Sequence, residues 1–169
     1  IYNKKLSVCP ITTHIPIKYI SKKINLNEIV NKVELISSFW KRKFNKKVKI
    51  AITGLNPHCE SIDKFNEDNK IILPSISLLK KRNIDISGPY PADTIFVKHN
   101  RKKFDIIVGM YHDQVLTPMK TLFEYDAINL TLGLPFIRIS PDHGPNENML
   151  GKNISNSLSI SNSIHFLDY

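Results

Sequence analysis

Cysteine is scarce in this chain: Cys9 and Cys59 stand in unrelated local contexts, and no CxxC pair occurs. That argues against a disulfide framework and a thiolate zinc site, so both thiols are expected to be free. Long apolar runs are missing too. No stretch approaches the roughly 18 residues that cross a bilayer, and Ile1, Tyr2, Asn3, Lys4 and Lys5 carry no signal-peptide pattern, which makes a cytoplasmic location the expectation. An initiator methionine is absent, and residues 6–9 (LSVC) already read as an interior strand, so a truncated start is expected. Internal repeats and low-complexity linkers are lacking, although residues 153–163 are rich in Asn and Ser.

The 169 residues fit one domain with a real core, and the apolar 41% is spread along the chain. A net charge of +9 raises nucleic acid or an anionic membrane as partners. Neither is expected. The basic residues form short clusters at 41–47, 80–82 and 101–103, each at a predicted helix end or turn, with no aromatic residues interleaved as a stacking platform.

Residues 6–11 read as a buried strand that ends at Thr12, Thr13 and His14 before Pro16. Ile29, Val33, Ile36, Trp40 and Phe44 recur at three- or four-residue steps and predict an amphipathic helix over 27–44. A second strand over 48–53 breaks at Gly54 and leads to His58. A helix is predicted over 68–82, with Pro74 tolerated in its first turns. Residues 88–91 (GPYP) read as a turn, 94–97 as a short strand, 104–110 as a strongly apolar strand delivering Tyr111, His112 and Asp113, and 114–122 as a helix. Strand-like stretches follow at 128–132 and 136–139. Alternating strands and helices predict a three-layer α/β/α fold with a largely parallel sheet, whose ligands bind beyond the strands' carboxyl ends.

His14, His58 and His112 each stand just past a predicted strand, so a sheet edge can gather them despite their separation in sequence. Three neutral imidazoles with an open position suit zinc, cobalt, nickel or iron. By spacing alone, three solvated loop histidines are the commoner outcome.

Five segments occur in order: ITTHIP (11–16), TGLNPH (53–58), GPYPADT (88–94), MYHDQ (110–114) and NLTLGLPFIR (129–138). Together they resemble the signature segments of the 4-hydroxythreonine-4-phosphate dehydrogenase family, which shares its fold with isocitrate and isopropylmalate dehydrogenases. The resemblance covers nearly the whole chain but implies an N-terminal half that the chain does not contain; it implies a metal- and substrate-binding α/β domain over 1–140, and a cofactor loop and C-terminal tail over 141–169 that pack on that absent half. It places the metal ligands at His14, His58 and His112, and the substrate contacts at Lys120, Asn129 and Arg138, chemically suited to a phosphorylated amino acid. Asp93 and Asp113 become candidates for orienting a histidine or moving a proton; otherwise each would brace a turn or cap a helix.

A segment starting at Asp142 resembles the superfamily's cofactor loop, with His143, Gly144, Gly151 and Lys152 in place and Pro145, Asn146 and Glu147 departing from the usual small or apolar residues. A second departure is CESID (59–63) where the family has a glycine-rich loop. The implied cofactors are NAD, with NADP as the alternative, and one divalent ion (Zn, Mg or Co). The implied reaction is oxidation of 4-phosphohydroxy-L-threonine to a 2-amino-3-oxo acid phosphate that decarboxylates, in pyridoxine phosphate biosynthesis, by a homodimer with its active site shared between subunits. The alternatives are a dehydrogenase of threonate or erythronate phosphate, or a non-catalytic remnant.

Overall fold

A computed structural model describes residues 1–60, 66–144 and 147–168. The first strand, β1 (Ser7–Thr12), leads through a 3-10 turn (Ile17–Tyr19) and a short α1 (Ile20–Lys23) into α2 (Leu26–Phe44). Asn25 caps α2, its side chain accepting from the backbone N–H of Glu28, and Asn45 closes it in the left-handed conformation. The apolar periodicity buries Ile29, Val33, Ile36 and Trp40, together with Val30 and Phe39, at about 1.5–3 kcal/mol for each fully buried large side chain. Lys41, Arg42 and Lys43 occupy its last turn, where they face the negative end of the helix dipole.

Strand β2 (Ile50–Thr53) is followed by a 3-10 turn (Pro57–Cys59), then a π-helical turn (Asp68–Ile72) running into α3 (Leu73–Lys81). Pro74 follows the π-helical turn directly, where the Leu73 N–H bonds to the Asp68 carbonyl and the widened turn takes a residue with no N–H of its own. Two expectations fail in the next stretch. Residues 88–91 do not form a turn between elements: β3 (Ile86–Tyr90) runs through Gly88 and Pro89, and an edge strand tolerates a proline that cannot donate to a neighbour. Gly88 has φ of +134°, and a Cβ there would collide with the Ile52 carbonyl. Residues 94–97 are not a strand; α4 (Ala92–Ile95) starts on Pro91, followed by α5 (Lys98–Arg101). Ile95 and Phe96 are buried as a helical turn, so their apolar character served packing and not strand pairing.

Strand β4 (Ile106–Tyr111) precedes α6 (His112–Phe123); β5 (Ile128–Thr131) and β6 (Arg138–Pro141) form a separate antiparallel ribbon, and α7 (Leu158–Leu167) closes the described chain. The main sheet is parallel, in the order β1-β4-β2-β3. Its central strands face cores on both sides: Ile106 and Val108 join Ile50 and Ile52 beneath α2 and α3, while Ile107 and Ala51 point to Val115 and Met119 of α6. This double burial explains the unbroken apolar run in β4. The result is the expected three-layer α/β/α architecture. The tail helix α7 packs on the ribbon and sends Phe166 into the larger core cluster, edge-on to Tyr2.

Candidate metal and substrate site

Parallel pairing puts the carboxyl ends of β1, β4 and β2 along one edge, and each is followed by one of the three histidines. Thr12 pairs with Tyr111, so His14 and His112 emerge side by side; their ring centroids lie 5.5 Å apart at 74°. They line a cavity of about 220 Å3 with Thr12, Thr13, Tyr111 and Asp113. Nδ1 of His112 lies 2.6 Å from Oδ1 of Asp113, which holds the ring and leaves Nε2 for a ligand. Asp113 does not cap α6, whose N-cap is Tyr111, and Asp93 does not cap α4; both lie in first turns, favourable for a carboxylate.

His58 stands apart. It occupies the 3-10 turn after β2 and does not line the His14–His112 cavity. Among the described residues, no three His, Cys, Asp or Glu side chains gather closely enough to hold a metal ion. The sheet therefore brings two of the three expected ligands together within one chain. Both His14 (φ 53°) and His58 (φ 57°) adopt left-handed backbone, which costs a non-glycine residue about 1–2 kcal/mol. Such outliers persist where surrounding structure over-determines them.

The His58 turn is braced by the buried carboxylate of Asp68, a residue that sequence reasoning did not single out. Asp68 accepts from the N–H of Leu55 (2.8 Å), the N–H of Asn56 (3.1 Å) and the Asn56 side-chain amide (2.7 Å). A Cβ at Gly54 would sit 2.5 Å from Asp68 Oδ1 and 2.7 Å from Cys59 Sγ, so only glycine fits. Burial pushes the Cys59 thiol pKa up, with the charges of Asp68, Asp93 and Glu60 adding to it against a backbone hydrogen bond at Gly54. Asp93, exposed on α4, thus stands near the His58 turn. Burial raises the Glu67 carboxyl, but hydrogen bonds from the Asn56 amide, its own backbone N–H and Ser21 together outweigh this and hold it below its ordinary value. Ser61, Ile62 and Asp63 of the departing loop lie outside the described residues.

On the ribbon, Asn129 pairs with Ser140 and Thr131 with Arg138, so Asn129 and Arg138 share one face as diagonal neighbours. Arg138 is exposed and donates from Nη1 to Thr131 Oγ1 at 3.0 Å. Lys120 on α6 reaches just past the ribbon: its ammonium pairs with Asp142 Oδ2 at 2.8 Å and also donates to the Asp142 carbonyl. All three candidate substrate contacts therefore fall on or beside one ribbon. His143 lies with its ring centroid 6.3 Å from that of Tyr125, and Gly144 is exposed. Gly151 has φ of +72° and lines a shallow depression of about 420 Å3. Pro145 and Asn146 lie outside the described residues.

Comparison with known proteins decides the family. The profile for the pyridoxal phosphate biosynthetic protein PdxA matches residues 1–167. The chain belongs to that family. It is 47% identical over 163 residues, 95% of its length, to the 4-hydroxythreonine-4-phosphate dehydrogenase of Sulfurihydrogenibium sp. (strain YO3AOP1), and covers 50% of that protein. The D-threonate 4-phosphate dehydrogenase of Pectobacterium atrosepticum is 39% identical over 145 residues, 85% of this chain and 44% of that protein. The crystal structure of 4-hydroxythreonine-4-phosphate dehydrogenase from Klebsiella pneumoniae superposes with a TM-score of 0.83 at 34% identity, over 98% of this chain and 50% of that one. This PdxA-family chain thus spans about half the length of the curated relatives it matches. Among its described residues, no helix is long and apolar enough to cross a membrane.

Proposed function

We propose that the chain is the metal- and substrate-binding half of an NAD-dependent 4-hydroxythreonine-4-phosphate dehydrogenase in pyridoxine phosphate biosynthesis. The observation that carries this reading is the His14–His112 pair on adjacent strand ends, with Asp113 bonded to the second ring. Two imidazoles side by side, one of them held by Asp113, fit a borderline divalent cation, so the donor chemistry suits zinc or cobalt better than magnesium. His58, one strand away, completes the set when two copies of the chain assemble. The exposed side chains of Leu134, Phe136 and Ile137 on the ribbon's connecting loop offer apolar surface for that assembly.

A divalent cation, when bound, supplies Lewis acidity at the substrate hydroxyl, and NAD supplies the hydride-accepting group. The chain's own residues bind and orient. Arg138 grips a phosphate or carboxylate through two donors, Asn129 reads a neighbouring polar group on the same face, and Lys120 adds a positive charge steered by Asp142. Asp113 keeps the His112 ring in place, and Asp93 takes up a proton on the His58 side. His143, Gly144 and Gly151 border the cofactor.

The relative named D-threonate 4-phosphate dehydrogenase supports a second substrate that differs in a hydroxyl where the first has an amino group. Reduction of NAD with each phosphate ester, by the chain alone and with the N-terminal half of the Sulfurihydrogenibium relative added, separates the readings. Activity that needs His112 and prefers the amino acid upholds the proposal. Equal turnover by His112→Ala, or none in any combination, sinks it. Mixing inactive His58→Ala and His112→Ala copies tests the shared site, because only mixed dimers would regain one intact set.

A further inference from the structure

We infer that Gln114 is a positioning residue: its carboxamide replaces a missing rung of the sheet and sets the gap between the strand ends that carry His112 and His58. The inference rests on the metal reading of those histidines.

The backbone ladder between β2 and β4 runs through Ile50–Ile106 and Ala51–Ile107 and stops at Ile52–Val108. Two residues further on, Gly54 and Met110 would face each other. Their backbone groups bond to the Gln114 side chain instead. Oε1 accepts from the N–H of Met110 at 2.7 Å and from the buried Thr53 hydroxyl at 2.8 Å, and Nε2 donates to the Gly54 carbonyl at 2.8 Å. The orientation of the amide is set by this network, since flipping it would aim its NH2 at the Met110 N–H. The inserted group holds the two strand ends apart while giving the Met110 N–H and the Gly54 carbonyl a partner each.

On the other side of β4 the two strands stay in register. The β1–β4 ladder continues to Thr12–Tyr111, and the Thr12 hydroxyl donates to the Met110 carbonyl at 2.8 Å. The peptide groups of Met110 are therefore tied to β1 through one side chain and to β2 through another. This asymmetry explains why His112 stays with His14 and parts from His58, opening the edge where parallel sheets bind ligands. Glycine is forced at 109 because a Cβ there would collide with Val115, the residue after Gln114, so strand and helix start lie in close contact.

Glutamine alone meets these demands. Glutamate keeps the acceptors for Met110 and Thr53 but turns an oxygen on the Gly54 carbonyl, and methionine fills the space with no partner for any of the three. Gln114→Glu and Gln114→Met are compared with the wild-type chain in two measurements: amide hydrogen exchange across residues 54–58, and cobalt(II) uptake followed by visible absorption.

The expected result is faster exchange at 54–58 in both variants, unchanged exchange in β1, and cobalt affinity weakened on the order of tenfold or more with an altered spectrum. Wild-type exchange and wild-type cobalt binding in both variants overturn the inference. A wild-type chain that takes up no cobalt instead sinks the metal reading, and the exchange measurement then decides the strut by itself.

Discussion

Nδ1 of His112 and Oδ1 of Asp113 lie 2.6 Å apart in the first turn of α6, with the carboxylate largely in water. An exposed partner of this kind contributes little to folding. Its effect falls on the ring. Asp113→Ala is expected to leave thermal unfolding unchanged and to weaken divalent-cation binding roughly 10- to 100-fold, as read by calorimetric titration. A marked loss of stability with unaltered binding would reverse the assignment.

The left-handed backbone of His58 predicts a conflict between stability and binding. His58→Gly relieves strain of about 1–2 kcal/mol, against an unfolded-state entropy gain of about 0.4–1 kcal/mol. This variant should melt at or above the wild-type temperature, and above His58→Ala, while losing the cation. Scanning calorimetry with and without zinc checks both halves.

Lys120 and Asp142 form an ion pair in which the carboxylate is buried and the ammonium partly exposed. Removing the cation alone strands the carboxylate. Lys120→Met should cost about 2 kcal/mol, discounted from the larger penalty of a fully buried pair, and Lys120→Met with Asp142→Asn should recover part of it. Urea unfolding of the single and double variants measures the coupling.

Burial pushes the Cys9 thiol pKa up, partly countered by the positive charge of Lys32. The folded thiol stays protonated at pH values where the unfolded one ionises, so the unfolded state binds fewer protons and stability falls as pH rises. The contribution is complete below the ordinary thiol value of about 8.5 and is lost on rising through the folded value, at up to about 1.4 kcal/mol per pH unit. Cys9→Ala should flatten this slope in denaturation measured from neutral to alkaline pH.

Phe136 is 62% exposed and Ile137 53%, on a loop of the ribbon. If that surface joins two copies, Phe136→Ser shifts sedimentation toward the monomer. An unchanged sedimentation profile would remove the loop from the interface.

The parallel sheet and its helices were legible because β4 and α2 carry unmistakable periodicities: a continuous apolar run buried on both faces, and apolar residues every three or four positions. Residues 88–97 were not. GPYP carries the composition of a turn, yet Gly88 and Pro89 fall at the register shift between the Ala51–Ser87 and Thr53–Tyr90 pairs, where the edge-strand ladder is already broken and a proline is tolerated, and the apolar residues after it pack as a helical turn.

The amino-acid sequence by itself determined which residues can do chemistry and which strand ends carry them, since periodicity sets the elements and the motifs set the residue types at their ends. Only the tertiary structure decided which of those residues meet. His14 joins His112 because β1 pairs with β4 to the last rung, and His58 stands away because the Gln114 carboxamide occupies the next rung on the other side. Strand order and side-chain bridges between distant segments leave no periodic trace in a chain, so three equivalent-looking histidines became a pair and a single one.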